Sequence, residues 1–266
     1  LTPAGGVYDA GTVVTLSAVA DAGMEFHGWS GDLSGSDNPA TITMDSDKNV
    51  TASFIIDNPG GGGSGGPVVF EEVVNGGATE MLEVSTATPI SLVDGDLYLA
   101  SIVTKNQTGV LSVSGLGLSW SRVDAECSAR GQTGIEVWMA LGNPSGDGIV
   151  TATLASSPSN SIIAVSRYSG IDSSTPLGMS VSGNTLGLDG DCSGGVDSDS
   201  YNFSINTETE DGVIFGAIAL RNRRHEPGAG YSELGEFVQD GALGGDKATM
   251  ALQEQSVASP TTLDFN

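Results

Sequence analysis

Basic side chains are scarce in this sequence: 9 Lys and Arg stand against 33 Asp and Glu, a formal charge of −24 over 266 residues. A surface this negative repels phosphate backbones, and the few basic residues gather only at Arg221, Arg223 and Arg224. Nucleic acid is thereby excluded as the expected partner, and bare anionic lipid is disfavoured by the same repulsion. Histidine is scarcer still. His27 and His225 stand far apart, and neither forms a Ser/His/Asp or Cys/His arrangement with a spacing that argues for nucleophilic catalysis. Two Cys and two His without ligand-type spacing exclude a zinc site on pattern. No run approaches the ~20 apolar residues of a membrane-spanning helix. Aromatics make up 6% of the chain, which leaves little for stacking on sugars. Divalent cations, neutral glycans and other protein surfaces remain open as partners.

Glycine, by contrast, is abundant at 39 residues, and Ser, Thr, Asn and Asp crowd between short apolar runs. Such a chain has many turns and few long helices. The cysteines, Cys127 and Cys192, are even in number. With low Lys content and glycine-rich β patterning, they favour a disulfide in an extracellular setting, which would contribute about 3–4 kcal/mol by closing a long loop; two unpaired buried thiols are the alternative.

The clearest boundary is residues 57–67, Asp57-Asn58-Pro59 followed by Gly60 to Pro67. No side chain there can bury apolar area, so the segment reads as a tether. It contains G-x-S-x-G around Ser64, but a nucleophile elbow needs a strand before it and a helix after it, and the pattern predicts neither. Upstream, residues 1–56 read as short strands: Val13 to Ala18 alternate, Glu25 to Trp29 follow a turn, Ala40 to Met44 make another, and Val50, Ala52 and Phe54 line one face of the last.

Four motifs in that segment occur in a telling order. They are Tyr8-Asp9-Ala10-Gly11-Thr12-Val13-Val14-Thr15-Leu16, Gly28-Trp29-Ser30-Gly31-Asp32, Asn38-Pro39-Ala40 with Met44-Asp45-Ser46-Asp47, and Thr51-Ala52-Ser53-Phe54. Together they resemble the divergent InlB-type B-repeat of bacterial surface proteins. The resemblance implies a small β module used for display or spacing. That family usually has a further strand before the Thr2-Pro3-Ala4-Gly5-Gly6 turn, so the segment is expected to leave backbone groups open to a strand from elsewhere.

Residues 68–266 carry about a dozen short apolar or β-branched runs, from 68–74 to 247–254, separated by Gly, Asn, Asp, Ser and Pro. The spacing predicts an all-β fold, a two-sheet β-sandwich of jelly-roll type. Asp94-Gly95-Asp96-Leu97-Tyr98-Leu99-Ala100, Leu118-Ser119-Trp120, Glu136-Val137-Trp138-Met139-Ala140 and Tyr168-Ser169-Gly170-Ile171-Asp172 with Pro176 resemble an uncharacterised β-sandwich module of secreted prokaryotic proteins. That pattern carries one more apolar strand after Thr262-Leu263-Asp264-Phe265, so an unfilled edge is expected at this end too.

Candidate binding residues are few. Asp189, Asp191, Asp197 and Asp199 place four hard oxygen donors in one glycine-rich loop, which reads either as a structural calcium site or as a solvated acidic turn stapled by Cys192. Trp138 falls on the strand face opposite Ile135, Val137 and Met139, as an exposed platform for a glycan or as part of a second buried surface. Tyr231, in a loop after Pro227-Gly228-Ala229-Gly230, is the other glycan-binding candidate. The acids could supply a glycosidase carboxylate pair, but most lie in turns where solvation explains them. The sequence therefore reads as a non-enzymatic, extracellular or cell-surface prokaryotic protein, structural or adhesive. Its partners would be copies of itself, joined head-to-tail into a filament or layer by β-strand complementation, or surface glycans and proteins. A glycan-binding or adhesin module of a larger secreted protein or polysaccharide-degrading enzyme is the alternative.

Overall fold

The computed structural model describes residues 6–19, 24–56, 66–196, 198, 201–207, 211–241, 247–259 and 261–265, with the side chains of 24, 25, 27, 53–56 and 265 left aside. The chain divides into two compact units, Leu1–Pro59 and Gly60–Asn266. No helix occurs among the described residues, and every strand pairing is antiparallel.

The small unit holds β1 (Thr12–Leu16), β2 (Met24–Gly31), β3 (Ala40–Met44) and β4 (Val50–Ile56). β1 pairs with β3 and β2 pairs with β4, as two separate two-stranded ladders. Alternation decides which face of β1 turns inward. Val14 and Leu16 are buried, while Val13 and Thr15 are exposed. Trp29 fills the centre at 5% exposure, with its indole N–H donating to the Asp37 carbonyl at 2.8 Å and its ring 5.0 Å from that of Phe26. Ile42, Met44, Val50 and Ala52 pack around this centre while remaining half-buried. Asn38 closes one flank by bonding both backbone groups of Ala18, at 3.0 and 2.7 Å.

The large unit is a stack. Its middle sheet has the order β5 (Val69–Ala78), β12 (Asn160–Ser169), β7 (Leu97–Lys105), β10 (Thr133–Leu141), β9 (Ser121–Cys127). Against one face lies β6 (Glu83–Ser85), β11 (Val150–Leu154), β8 (Val110–Gly115). Val84, Ala152, Leu154 and Val113 meet Tyr98, Ala100, Ile102, Ile163 and Val165 there. Against the other face lies β16 (Gly212–Arg221), β18 (Lys247–Val257), β17 (Ser232–Asp240). There Met250 and Leu252 meet Val103, Ile162 and Ala164.

The expected sandwich is thus present, with a third sheet added on its far side. The physical sign is β7, buried at every one of its nine positions, which a strand covered on one face only cannot be. Each large aliphatic side chain so enclosed stabilises the fold by about 1.5–3 kcal/mol. β13 (Gly183–Asn184) with β14 (Gly187–Leu188), and β15 (Phe203–Asn206) with β19 (Thr262–Phe265), complete the unit as small pairs. Ile205 and Leu263 of the latter pack with Ile214, Tyr231 and Val257 on the outer side of the third sheet.

Two expected runs shift. Residues 176–182 contain no strand, and Leu177 and Met179 are exposed. The strand expected at 116–123 begins only at Ser121, because Leu116 and Gly117 take left-handed φ values of 59° and 62° and turn the chain first.

Candidate functional site

Strand edges and one disulfide-held loop are the candidate binding features of this chain. In the small unit β1, β3 and β4 each have a ladder partner on one side only among the described residues, while β2 carries β4 on one side and a single bridge from Trp29 to Gly35 on the other, with Trp29 N–H donating to Gly35 O at 2.8 Å. Exposed valines accompany these half-open strands: Val7, Val13 at 63% and Val19 at 77%. In the large unit β15 and β19 likewise pair only with each other. An unpaired strand edge is a template for another chain.

The second feature is the segment held by the disulfide. Cys127 ends β9 and Cys192 lies in the loop after β14, with their Cα atoms 5.5 Å apart. Asn184 reinforces the staple, since its side-chain N–H groups donate to the carbonyls of Cys127 at 2.9 Å, Gly190 at 2.7 Å and Asp191 at 3.3 Å. Gly195 N–H donates to Ala129 O at 3.0 Å. Gly131 must be glycine, because it combines φ +62° with a position where a Cβ would sit 2.8 Å from the Cys192 carbonyl. The stapled segment presents Leu186, Leu188 and Val196 to solvent.

Beneath it lies a cavity of about 140 Å³ lined by Thr104, Gln107, Glu126, Glu136 and both cysteines, among others. Burial pushes the Glu126 carboxyl above the usual range, and the charges of Asp189 and Asp124 add to this, while the Cys127 N–H at 2.8 Å opposes it. Glu126 and the two cysteines are close enough to suggest a metal ligand set, but sulfurs joined in a disulfide carry no thiolate to offer. Glu136 is committed to structure. One oxygen accepts from Val110 N–H at 2.8 Å and the other from the Trp138 indole at 3.0 Å.

The residues singled out from the sequence fall as follows. Cys127 and Cys192 are bridged, as expected. Asp189 and Asp191 are exposed, and the Asp189 backbone is left-handed at φ 48°. Asp197 and Asp199 lie outside the described residues, as does Ser64. Asp189 and Asp191 join no group of three clustered potential ligands among the described residues. Trp138 is half-buried against the core between the middle and β6–β11–β8 sheets, so the second buried surface is where it belongs. Tyr231 corrects an expectation: it is 9% exposed, packed with Ile214 and Val257, and its ring offers no open face to a sugar.

His225 is also enclosed, at 8% exposure. Its Nε2 pairs with the Tyr201 hydroxyl at 2.7 Å, the two rings stack at 6.1 Å, and its buried Nδ1 has no hydrogen-bond partner among the described residues. Burial lowers its pKa below the usual 6.5, with Glu233 and Glu236 opposing. An open groove nearby is lined by Arg224, Glu233, Leu234, Gly235, Glu236 and Val238, and the imidazole is not part of that lining. Glu136 and His225 were not foreseen as buried anchors. For Glu136 the signal was its two-residue offset from Trp138 on one strand face.

No helix among the described residues is long and apolar enough to cross a membrane. No curated protein and no solved structure matches the chain. Residues 1–58 match the divergent InlB B-repeat domain, a family typical of bacterial surface proteins, and it is this module that the small unit resembles in sequence.

Proposed function

We propose that this chain is a structural subunit of the bacterial cell exterior, assembling head-to-tail with copies of itself by strand addition. The observation that carries this reading is the pairing of the small unit, where the four strands form two ladders and, among the described residues, β1, β3 and β4 each have a ladder partner on one side only. Half-buried apolar residues and exposed valines line those ladders, so an added strand would satisfy backbone groups and cover apolar surface together. A contact of this kind is heterologous, and heterologous contacts that do not close propagate into fibres.

Hydrogen–deuterium exchange tests the reading. The amides of β1 to β4 should exchange several-fold more slowly in concentrated, assembled protein than in dilute protein, while those of β7 and β12 stay equally protected in both. Equal exchange of β1 to β4 at both concentrations would sink it.

A second reading, adhesion to another protein, is favoured by the exposed Leu186, Leu188 and Val196 on the disulfide-held segment. Rigidly presented apolar side chains lose little entropy on binding. Bound calcium remains a proposal resting on Asp189 and Asp191. It predicts that added calcium protects the 183–196 segment from protease and that chelation removes the protection.

A further inference from the structure

Most side chains enclosed between the middle and third sheets are apolar or small. The face of β7 that meets the third sheet runs Leu97, Leu99, Ser101, Val103, Lys105, and that of β12 runs Asn160, Ile162, Ala164, Ser166, Tyr168. The two ends of this pattern stand out. Lys105 is 4% exposed and Asn160 is 0% exposed. Lysine is among the residues least often enclosed so fully.

The two are direct register partners across the β7–β12 ladder. Partners in an antiparallel ladder leave the sheet on the same face, with Cβ atoms about 4.5–5.5 Å apart. Lys105 Nζ donates to the Lys247 carbonyl at 3.4 Å, so the amine stands inside the layer between the middle and third sheets. Its four-carbon stem is long and rotatable enough to swing the nitrogen onto the neighbouring carboxamide with the backbone in place. A nucleophile and an electrophile held side by side, away from water, gain the large proximity advantage of an intramolecular reaction.

We propose that Lys105 and Asn160 are a site of self-modification, forming an amide cross-link between the two central strands. Lys105 Nζ adds to Asn160 Cγ, and the Cγ–Nδ2 bond breaks. Of the three protons on the lysine ammonium, one stays on the new amide nitrogen and two leave with Nδ2 as ammonium ion. Atoms and charge balance, and no oxidant, cofactor or second substrate is consumed. The product joins β7 to β12 covalently, removes the buried charge, and suits a protein that bears load along a chain of copies.

Intact mass of the reduced, denatured full chain tests this. The wild-type protein should weigh less than its sequence by one ammonia molecule, and digestion should yield a branched peptide joining Lys105 to Asn160. Lys105→Arg and Asn160→Ala should each restore the full sequence mass. A wild-type chain at its full sequence mass overturns the proposal, whatever the variants do. So does a deficit that persists in Lys105→Arg, since that would place the lost ammonia elsewhere, as in imide formation at Asn75-Gly76. The branched peptide is read from wild-type protein, so a variant that fails to fold cannot mimic support.

Discussion

Glu136 shows how much one enclosed carboxylate can organise. It is 7% exposed and answers two donors on different elements, the Val110 N–H that opens β8 and the indole of Trp138 on its own strand. Truncation would leave both donors unsatisfied inside the sandwich, so Glu136→Ala should cost about 2–3 kcal/mol, and Glu136→Gln less, because its carbonyl still accepts. The shift should appear in the urea midpoint at constant slope. His225 makes a pH prediction. Because burial depresses its folded-state pKa below the unfolded 6.5, the unfolded chain takes up the proton first as pH falls. Stability attributable to His225 is therefore full above the unfolded value and declines on acidification until the folded value is passed. The imidazolium carries a proton on both ring nitrogens, and the buried Nδ1 has no acceptor for its own among the described residues. Wild type should lose more stability between pH 7 and pH 5 than His225→Asn does, in paired denaturation series. An equal loss would mean the imidazole is solvated in solution.

Among the elements, the strands legible from sequence were those whose alternation or apolar run was unbroken, such as β1, β7, β10, β12 and β16. What could not be read was which runs were covered twice. Leu97 to Lys105 reads the same whether one sheet or two lie over it, because an apolar run reports burial and not the identity of the cover. The third sheet was hidden for that reason, and so was the enclosure of Tyr231, packed by Ile205 of β15 and Leu263 of β19, and of His225, stacked on Tyr201 just before β15. The motif Asp94 to Ala100 has a structural explanation. Asp96 and Glu72 hold Arg167, the latter at 2.9 Å, while the Tyr98 hydroxyl accepts from Val93 N–H at 2.9 Å and donates to Ser91 O at 3.0 Å, fixing the loop before β7. The disulfide was legible by count. What it holds was not, because the docking of 183–196 runs through backbone carbonyls that satisfy Asn184. Replacing both cysteines by serine should lower stability by about 4 kcal/mol on the loop-entropy account for a 65-residue separation. It should also open residues 183–196 to protease while the middle sheet stays protected. An unchanged cleavage pattern would assign the anchoring to Asn184 alone.

At the scale of the whole molecule, charge and edges oppose each other. A formal charge of −24 repels copies from one another, whereas in the proposed assembly open strand edges and exposed valines would draw them together. Assembly should therefore strengthen with ionic strength, since the screening length falls from about 30 Å at 0.01 M to about 8 Å at 0.15 M and contact forces are unaffected. Sedimentation velocity across that range should show species larger than one chain growing with salt, and a shift towards monomer would indicate contacts made by ion pairs. The most direct measurement is electron microscopy of the purified full chain at physiological ionic strength. Filaments or sheets with one chain per repeat, and a strand from one copy lying in a ladder of the next, are the predicted result. Monodisperse single chains that instead bind immobilised glycans would contradict it.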